Sequence, residues 1–271
     1  MPGVMAATMC SSAVVEIGGL PIRLRCDNPD FVRQIQERYA GYVSSSNDAS
    51  FDFEIDLAPP GTKSKDEEVH VTWDSGRWLM ERGDFRAEWN PSTARGRIRQ
   101  TINPYSLDSV LRIVHTLLLA REGGFLLHAS SAIRNGRAFL FAGVSGAGKT
   151  TMARLAPPDA ALLTDEISYV TRQMDRYFAV GTPFFGELAR VGENLQAPIE
   201  ALYLLAKGPE NKIEPIVGAD AVRGLLENIL FFARDPEFVK MVFDAAFDFA
   251  AHIAVRRLTF VPDSSVWELI V

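Results

Sequence analysis

The chain of 271 residues contains little of several features that would otherwise narrow its class. Its two cysteines, Cys10 and Cys26, are too few for a disulfide framework or a cysteine-based metal site, so a reducing cytoplasm is the expected compartment. The net charge is −6, which leaves no basic excess for nucleic-acid or anionic membrane surfaces. No apolar run approaches the roughly 20 residues of a membrane-spanning helix. We therefore expect a globular cytoplasmic protein that binds neither nucleic acid nor membrane.

A glycine-rich motif follows a short apolar run near the middle of the chain. Residues 139–142 (FLFA) have the bulk and length of a buried strand. Residues 143–150 (GVSGAGKT) complete the pattern G-x-x-x-x-G-K-[ST], and residues 151–155 continue as a helix. A plain glycine turn before a helix is the competing interpretation, but it would not require every fixed position to be filled. Strand, glycine loop and helix in this order predict a phosphate-binding loop.

The residue types of this loop each have a chemical reason. Glycines let successive backbone N–H groups converge on one anion, and the start of the helix adds partial positive charge. Lys149 can reach the β- and γ-phosphates, and the Thr150 hydroxyl is placed to ligate Mg²⁺. The sequence therefore predicts binding of a nucleoside triphosphate. The predicted nucleotide-binding residues are Gly143, Ser145, Gly146, Ala147, Gly148, Lys149, Thr150 and Thr151.

Two adjacent carboxylates, Asp165 and Glu166, end a second apolar run beyond this loop. A carboxylate at a strand end can hold Mg²⁺, and its neighbour can accept the proton of an attacking hydroxyl. Thr150, Asp165 and Glu166 are therefore the predicted metal ligands. Glu187, in the turn-rich residues 181–188, is a candidate for orienting the acceptor. A purely structural loop is equally open at that position.

The rest of the pattern predicts two domains. A small α+β domain is expected over residues 1–105, with strands flanking Gly18–Gly19, a helix after Asn28–Pro29, a strand at 51–57 and an antiparallel meander over 69–102. Its tryptophans Trp73, Trp78 and Trp89 are expected in the core. The second domain is expected over residues 106–271, with residues 106–122 as a linking helix.

The second domain carries its own local signals. Ser106 or Asp108 is expected to cap the linking helix. Asn135–Gly136 predicts a hairpin, so the strand before the glycine loop has an antiparallel partner. Helices are expected over 219–232 and 237–251, and strands over 254–260 and 266–271. Arg256 and Arg257 either approach the phosphates or form surface ion pairs.

With these features assembled, residues 123–271 resemble HPr kinase/phosphorylase. They look most like the smaller bacterial HPr-kinase-like proteins that accompany peptide-modification genes, including lasso-peptide kinases. The resemblance implies an α/β fold with a PEP-carboxykinase-like P-loop core and a mixed sheet. The residues that carry it are Leu127–Ser130, Gly143–Thr150, Leu162–Glu166, Gly181–Pro183 and Phe260–Leu269.

The resemblance also implies roles for individual residues. Lys149 and Thr150 would hold phosphate and Mg²⁺, and Asp165 matches the carboxylate that activates an acceptor serine. His128 matches a histidine near the active site of that family. Glu166 stands where the family has a second aspartate associated with the metal. The second signature of the full-length enzyme, which is tied to phosphorolysis, is not found in this sequence.

These features predict an ATP- and Mg²⁺-dependent kinase that transfers the γ-phosphoryl group to a hydroxyl of a peptide or small protein. Serine is the expected acceptor residue. The predicted catalytic residues are Asp165, Lys149, His128 and Glu187. Two alternatives stay open: a nucleotide-binding regulatory protein without catalysis, and a kinase of a small-metabolite hydroxyl. Assembly of several identical chains is also left open.

Overall fold

The computed structural model of the chain describes residues 11–59 and 68–270. The chain divides into two compact units, Met1–Leu111 and Arg112–Val271. Within the described ranges, no helix combines the length and apolar character needed to cross a bilayer.

The first unit is built on a mixed sheet that has seven strands within the described residues, in the order β1-β2-β3-β7-β6-β5-β4. The β2–β3 and β3–β7 pairs are parallel, and the remaining pairs are antiparallel. The predicted strands and the meander are confirmed. The strands are β1 (Ser11–Ile17), β2 (Leu20–Cys26), β3 (Phe51–Leu57), β4 (His70–Asp74), β5 (Arg77–Arg82), β6 (Phe85–Asn90) and β7 (Arg95–Gln100).

Helix α1 (Pro29–Arg38) begins where the sequence predicts it. The Asn28 side chain accepts a hydrogen bond from the backbone N–H of Phe31 over 3.0 Å and so caps the helix. Phe31 and Ile35 recur at helical spacing and are fully buried, and the helix packs on β1 and β2. This helix, which the local sequence specifies, thereby covers β1 and β2 at one end of the sheet.

The core prediction for the three tryptophans is right for two of them. Trp78 and Trp89 are buried, but Trp73 is 44% exposed. Trp73 lies on β4, which ends the sheet and has a partner strand on one side within the described residues. Its ring contacts the edge of the Trp78 ring, with centroids 5.1 Å apart. A terminal strand lacks the neighbours that would cover such a side chain.

Helix α2 (Pro104–Arg121) begins earlier than the predicted caps. Asn103 Oδ1 accepts the backbone N–H of Tyr105 at the helix start. Asp108 instead accepts hydrogen bonds from the Tyr39 hydroxyl and from Arg38, each at 2.6 Å. The expected capping role of Ser106 and Asp108 is therefore wrong, because both residues lie inside a helix that already begins at Pro104, and Asp108 is engaged by a tertiary ion pair. The division between the two units falls within this helix.

The second unit holds a mixed sheet with eight strands in the part of the chain that the structure describes. Strands β9 and β15 run parallel to β13, and the other pairs are antiparallel. The strands are β8 (Phe125–Arg134), β9 (Arg137–Ala142), β10 (Ala161–Thr164), β11 (Ile167–Gln173), β12 (Arg176–Val180), β13 (Gln196–Lys207), β14 (Lys212–Pro215) and β15 (Ala254–Phe260). The helices are α3 (Lys149–Arg154), α4 (Ala219–Leu226) and α5 (Pro236–His252).

The predicted hairpin before the glycine loop is confirmed. Strands β8 and β9 pair antiparallel, and Asn135 and Gly136 at its tip both have positive φ, 52° and 74°. This is the backbone conformation that a tight two-residue hairpin requires. Strand β9 also pairs with β13, so it lies between two neighbours and enters the loop as a buried element.

Three local predictions in this unit were incomplete or wrong. The helix expected over residues 219–232 is α4, which ends at Leu226. The residues after it bond to β8 instead: His128 N–H donates to Asn228 O, and Leu230 N–H donates to Leu126 O. Strand β14 was not predicted. The strand expected over residues 266–271 is wrong: Ser264–Leu269 form a 3-10 helix, and residue 271 lies outside the described residues. Trp267 anchors this helix, since its buried indole donates to Met152 O over 3.2 Å.

Candidate functional site

The glycine motif forms a loop between β9 and α3, and its backbone needs glycine at defined positions. Gly146 and Gly148 have φ of 76° and 112°. A Cβ atom on Gly146 would meet open space, whereas one on Gly148 would lie 2.6 Å from Phe260 Cζ. Phe260 is buried in the core, so it has little room to yield. The loop therefore presses its backbone against the core at Gly148 and leaves open space at Gly146.

A Gly148→Ala substitution is expected to distort this loop. The positive φ alone costs about 1–3 kcal/mol for a non-glycine residue, and the contact with Phe260 adds to it. Gly136→Ala is the matched control, because Gly136 has φ of 74° and open space around it but lies outside the loop. Thermal unfolding should show a loss of stability in both variants. Calorimetric titration with ATP should show weakened binding in Gly148→Ala alone, and equal affinities would contradict this account of the loop.

Lys149 opens helix α3 and is mostly buried, at 8% exposure. Its ammonium donates to the carbonyl oxygens of Gly143 at 2.8 Å and Val144 at 3.4 Å. Burial lowers the pKa of this ammonium, and the negative charge of Glu166 opposes the shift. The Ser130 hydroxyl donates to Lys149 O over 2.9 Å and ties the helix start to β8. The Lys149 ammonium is thus held at the loop by neutral carbonyl oxygens, which a phosphate anion could replace as its partner.

The acidic pair lies where the second apolar run breaks into two strands, β10 and β11. Thr164 organises this break: its Oγ1 accepts the N–H groups of Glu166 and Ile167 at 3.1 and 3.2 Å and donates to Phe184 O at 3.1 Å. The side chains of Asp165 and Glu166 therefore extend from a bend that the hydrogen bonds of Thr164 fix.

Asp165 is 2% exposed, and backbone amides from the following loop hold its carboxylate. Gly186 N–H donates to Oδ1 and Leu188 N–H donates to Oδ2, both at 2.9 Å. We call residues 181–188 the clamp segment. Such paired bonds fix the orientation of the carboxylate, and each oxygen keeps a further lone pair.

Glu166 forms an ion pair that the sequence did not indicate. Arg112, on α2, donates from Nη2 to Glu166 Oε2 over 3.2 Å. No local motif marks Arg112, because it lies in an amphipathic helix far from the acidic pair along the chain. The one sequence feature that marks Arg112 is its charge among the apolar positions of that helix, which does not indicate a partner.

The structure brings most of the predicted site residues together around one cleft of about 270 Å³. Gly143 and Ala147 belong to the loop but do not line this cleft, and neither do Arg256 and Arg257. Glu187 of the clamp segment does line it. The lining residues are His128, Ser145, Gly146, Gly148, Lys149, Thr150, Thr151, Asp165, Glu166, Gly186 and Glu187.

His128 contributes an imidazole to this cleft from β8. Burial lowers its pKa, and the positive charges of Lys149 and Arg112 lower it further. In the unfolded chain a histidine binds its proton near pH 6.5. Because the folded protein binds that proton only at lower pH, the unfolded state holds more protons below pH 6.5, and stability falls on acidification through that range.

Replacing His128 with glutamine is therefore expected to reduce the acid sensitivity of the protein. The midpoint of thermal unfolding should drop less between pH 7.5 and pH 5.5 in His128→Gln than in the unaltered chain. His70→Gln, at an exposed position on β4, should follow the unaltered chain. Identical pH dependence in all three proteins would show that His128 does not titrate differently on folding.

The donor set of the cleft fits a magnesium nucleotide. The open space beside Gly146, the loop amides and the Lys149 ammonium suit phosphate oxygens. Magnesium is commonly held by one or two carboxylates together with phosphate oxygens and water, and Asp165, Glu166 and the Thr150 hydroxyl, which line the cleft, could supply such ligands. In the described residues no cluster of three or more His, Cys, Asp or Glu side chains forms an all-protein metal cage.

Fold and site together define an α/β protein with two mixed sheets and an acidic pair beside a glycine-rich loop. Comparison with models of protein families assigns the chain to one family. The chain belongs to the family described as SynChlorMet cassette protein ScmC, which matches residues 96–270.

Comparison with individual proteins gives weaker similarity. A search of curated proteins finds no match. Among solved structures, the HPr(Ser) kinase/phosphatase from Coxiella burnetii is similar at 13% identity with a TM-score of 0.28, covering 54% of this chain and 90% of that protein.

Proposed function

We propose that the protein is an ATP- and Mg²⁺-dependent kinase that phosphorylates a hydroxyl of a peptide or small protein, with serine as the expected acceptor residue. The proposal includes a PEP-carboxykinase-like P-loop core in the catalytic domain, residues 106–271. The observation that carries it is the convergence of Lys149, the loop and the Asp165–Glu166 pair on one cleft. A cation, a glycine-rich loop that can bind phosphate and carboxylates for metal and acceptor recur in enzymes that transfer phosphoryl groups.

The chain's own residues would act mainly by positioning. The loop amides and Lys149 would bind the β- and γ-phosphates once the ammonium leaves the carbonyls of Gly143 and Val144. Asp165, fixed by two amides, would accept a hydrogen bond from the acceptor hydroxyl and orient its oxygen toward the γ-phosphorus. Bound Mg²⁺ would neutralise charge on the phosphates. The new O–P bond forms as the bond between the γ-phosphorus and the β,γ-bridging oxygen breaks, and the hydroxyl proton passes to Asp165.

A labelled-phosphate assay tests this function. The purified chain is incubated with γ-labelled ATP and Mg²⁺ and offered three acceptors in parallel: a serine-containing peptide pool, the same pool with alanine at that position, and free serine. Because the family is described as a cassette protein, products of neighbouring genes are the first protein acceptors to add. We expect label on the serine peptides or on such a product. Label on free serine alone would favour the metabolite kinase, and label on no acceptor would contradict transfer.

A regulatory protein that binds nucleotide without transfer is the second candidate, and one observation favours it. Both oxygens of Asp165 already accept backbone amides, and Glu166 already pairs with Arg112. An acidic pair engaged in this way can serve the structure alone. This candidate predicts ATP binding by calorimetry with no acceptor-dependent release of ADP.

A further inference from the structure

Arg112 contacts two parts of the candidate site at once. Its Nη2 donates to Glu166 Oε2 over 3.2 Å, and its Cζ lies 4.9 Å from the centre of the Phe184 ring. Phe184 is fully buried in the clamp segment, the same segment whose amides hold the Asp165 carboxylate. One side chain therefore touches Glu166 directly and reaches the surroundings of Asp165 through an aromatic contact.

Packing alone does not account for an arginine at this position. Its Nε is buried and has no hydrogen-bond partner among the described residues, which is unfavourable for a charged group. A leucine or methionine would cover the Phe184 ring without that cost. The partly exposed ion pair, with side chains 22% and 31% exposed, adds little stability in compensation. An arginine at this position is better explained if the charge and the planar guanidinium orient the carboxylates of the acidic pair.

We propose that Arg112 is a positioning residue for both carboxylates, a role that rests on the proposed function. The ion pair fixes the orientation of the Glu166 carboxylate, which would be one of the ligands of a bound Mg²⁺. The cation–π contact with Phe184 holds the clamp segment in place, so that its amides keep Asp165 oriented. Arg112 does not line the cleft, and it therefore acts through these neighbours and not on the phosphates.

Two substitutions separate the two contacts. Arg112→Gln removes the charge and most of the contact with the Phe184 ring, whereas Arg112→Lys keeps a charge that can pair with Glu166 but lacks the guanidinium group that lies over that ring. Arg121→Gln is the matched control, because Arg121 lies in the last turn of the same helix and is exposed. All three are compared with the unaltered full-length chain.

Hydrogen exchange of the nucleotide-free protein gives the first readout. The amides of Gly186 and Leu188 should exchange faster in Arg112→Gln and in Arg112→Lys, and Arg121→Gln should match the unaltered chain. This measurement needs neither nucleotide nor metal. Unchanged exchange in Arg112→Gln would overturn the proposed link through Phe184.

The second readout is ATP affinity by calorimetry, with Mg²⁺ and with a chelator. Loss of a group that orients a metal ligand typically weakens metal binding by about 10–100-fold. We expect the Mg²⁺-dependent gain in affinity to fall at least about tenfold in Arg112→Gln, with affinity in chelator unchanged. Arg112→Lys should recover most of that gain. An undiminished gain in Arg112→Gln, or no recovery in Arg112→Lys, would overturn the role toward Glu166.

The two proposals fail in different ways. If the unaltered chain binds no nucleotide under either condition, the proposed function fails, and the exchange rates alone decide whether Arg112 holds the clamp segment. If the unaltered chain binds and transfers but Arg112→Gln matches it in both readouts, the function stands and the role of Arg112 is wrong.

Discussion

Lys149→Ala is expected to lower phosphoryl transfer by roughly 10²–10³-fold or more and to weaken ATP binding. Lys149 lies in the cleft that also holds the loop and the acidic pair, and it is buried. A charge with little water around it interacts strongly with charge that develops on a transferring phosphoryl group. The rate of labelled-phosphate transfer and calorimetric ATP titration measure the two effects separately.

The control for this substitution removes a different lysine. Lys240→Ala takes away an exposed ammonium on α5 that pairs with Asp244, and it should leave both transfer and ATP affinity unchanged. Lys149→Ala also deletes the bonds to the carbonyls of Gly143 and Val144, so the thermal midpoint is recorded for each protein. Transfer at the unaltered rate by a folded Lys149→Ala protein would remove this residue from the mechanism.

The loop and the hairpin were predictable because the residues that build them are contiguous. Every fixed position of the motif lies within residues 143–150, and the Asn135–Gly136 turn needs only its own positive φ values. Asp165 and Glu166 were found for a similar reason, since the apolar run directly before them is itself contiguous and forms strand β10. Patterns of this kind contain their own geometric requirements.

The surroundings of the acidic pair were not predictable, because they come from distant segments. The amides of Gly186 and Leu188 carry no side-chain signal, and Arg112 precedes Glu166 by a helix, a hairpin and the loop. The same limit explains the error at Trp73. A strand pattern predicts which residues share a face, but whether a strand ends the sheet depends on pairing that the local sequence does not specify.

These nonlocal contacts change what Asp165→Asn is expected to do. We expect transfer to fall by roughly 10²–10⁴-fold, as for loss of a general base, while ATP affinity stays nearly unchanged. An asparagine presents one oxygen and one NH₂ group, so one of the two clamp amides would face a donor in place of an acceptor. A buried donor left without a partner costs about 1–3 kcal/mol, and the unfolding free energy should fall by that amount.

The matched control is Asp175→Asn, at the exposed β11–β12 turn, which should change neither quantity. The pattern of results then separates a catalytic role of Asp165 from a purely structural one. Lost transfer with retained ATP affinity fits a carboxylate that orients the acceptor. A protein that is destabilised yet transfers phosphate at the unaltered rate would show that Asp165 serves the clamp segment alone, and the base would have to be sought elsewhere in the cleft, first at Glu187.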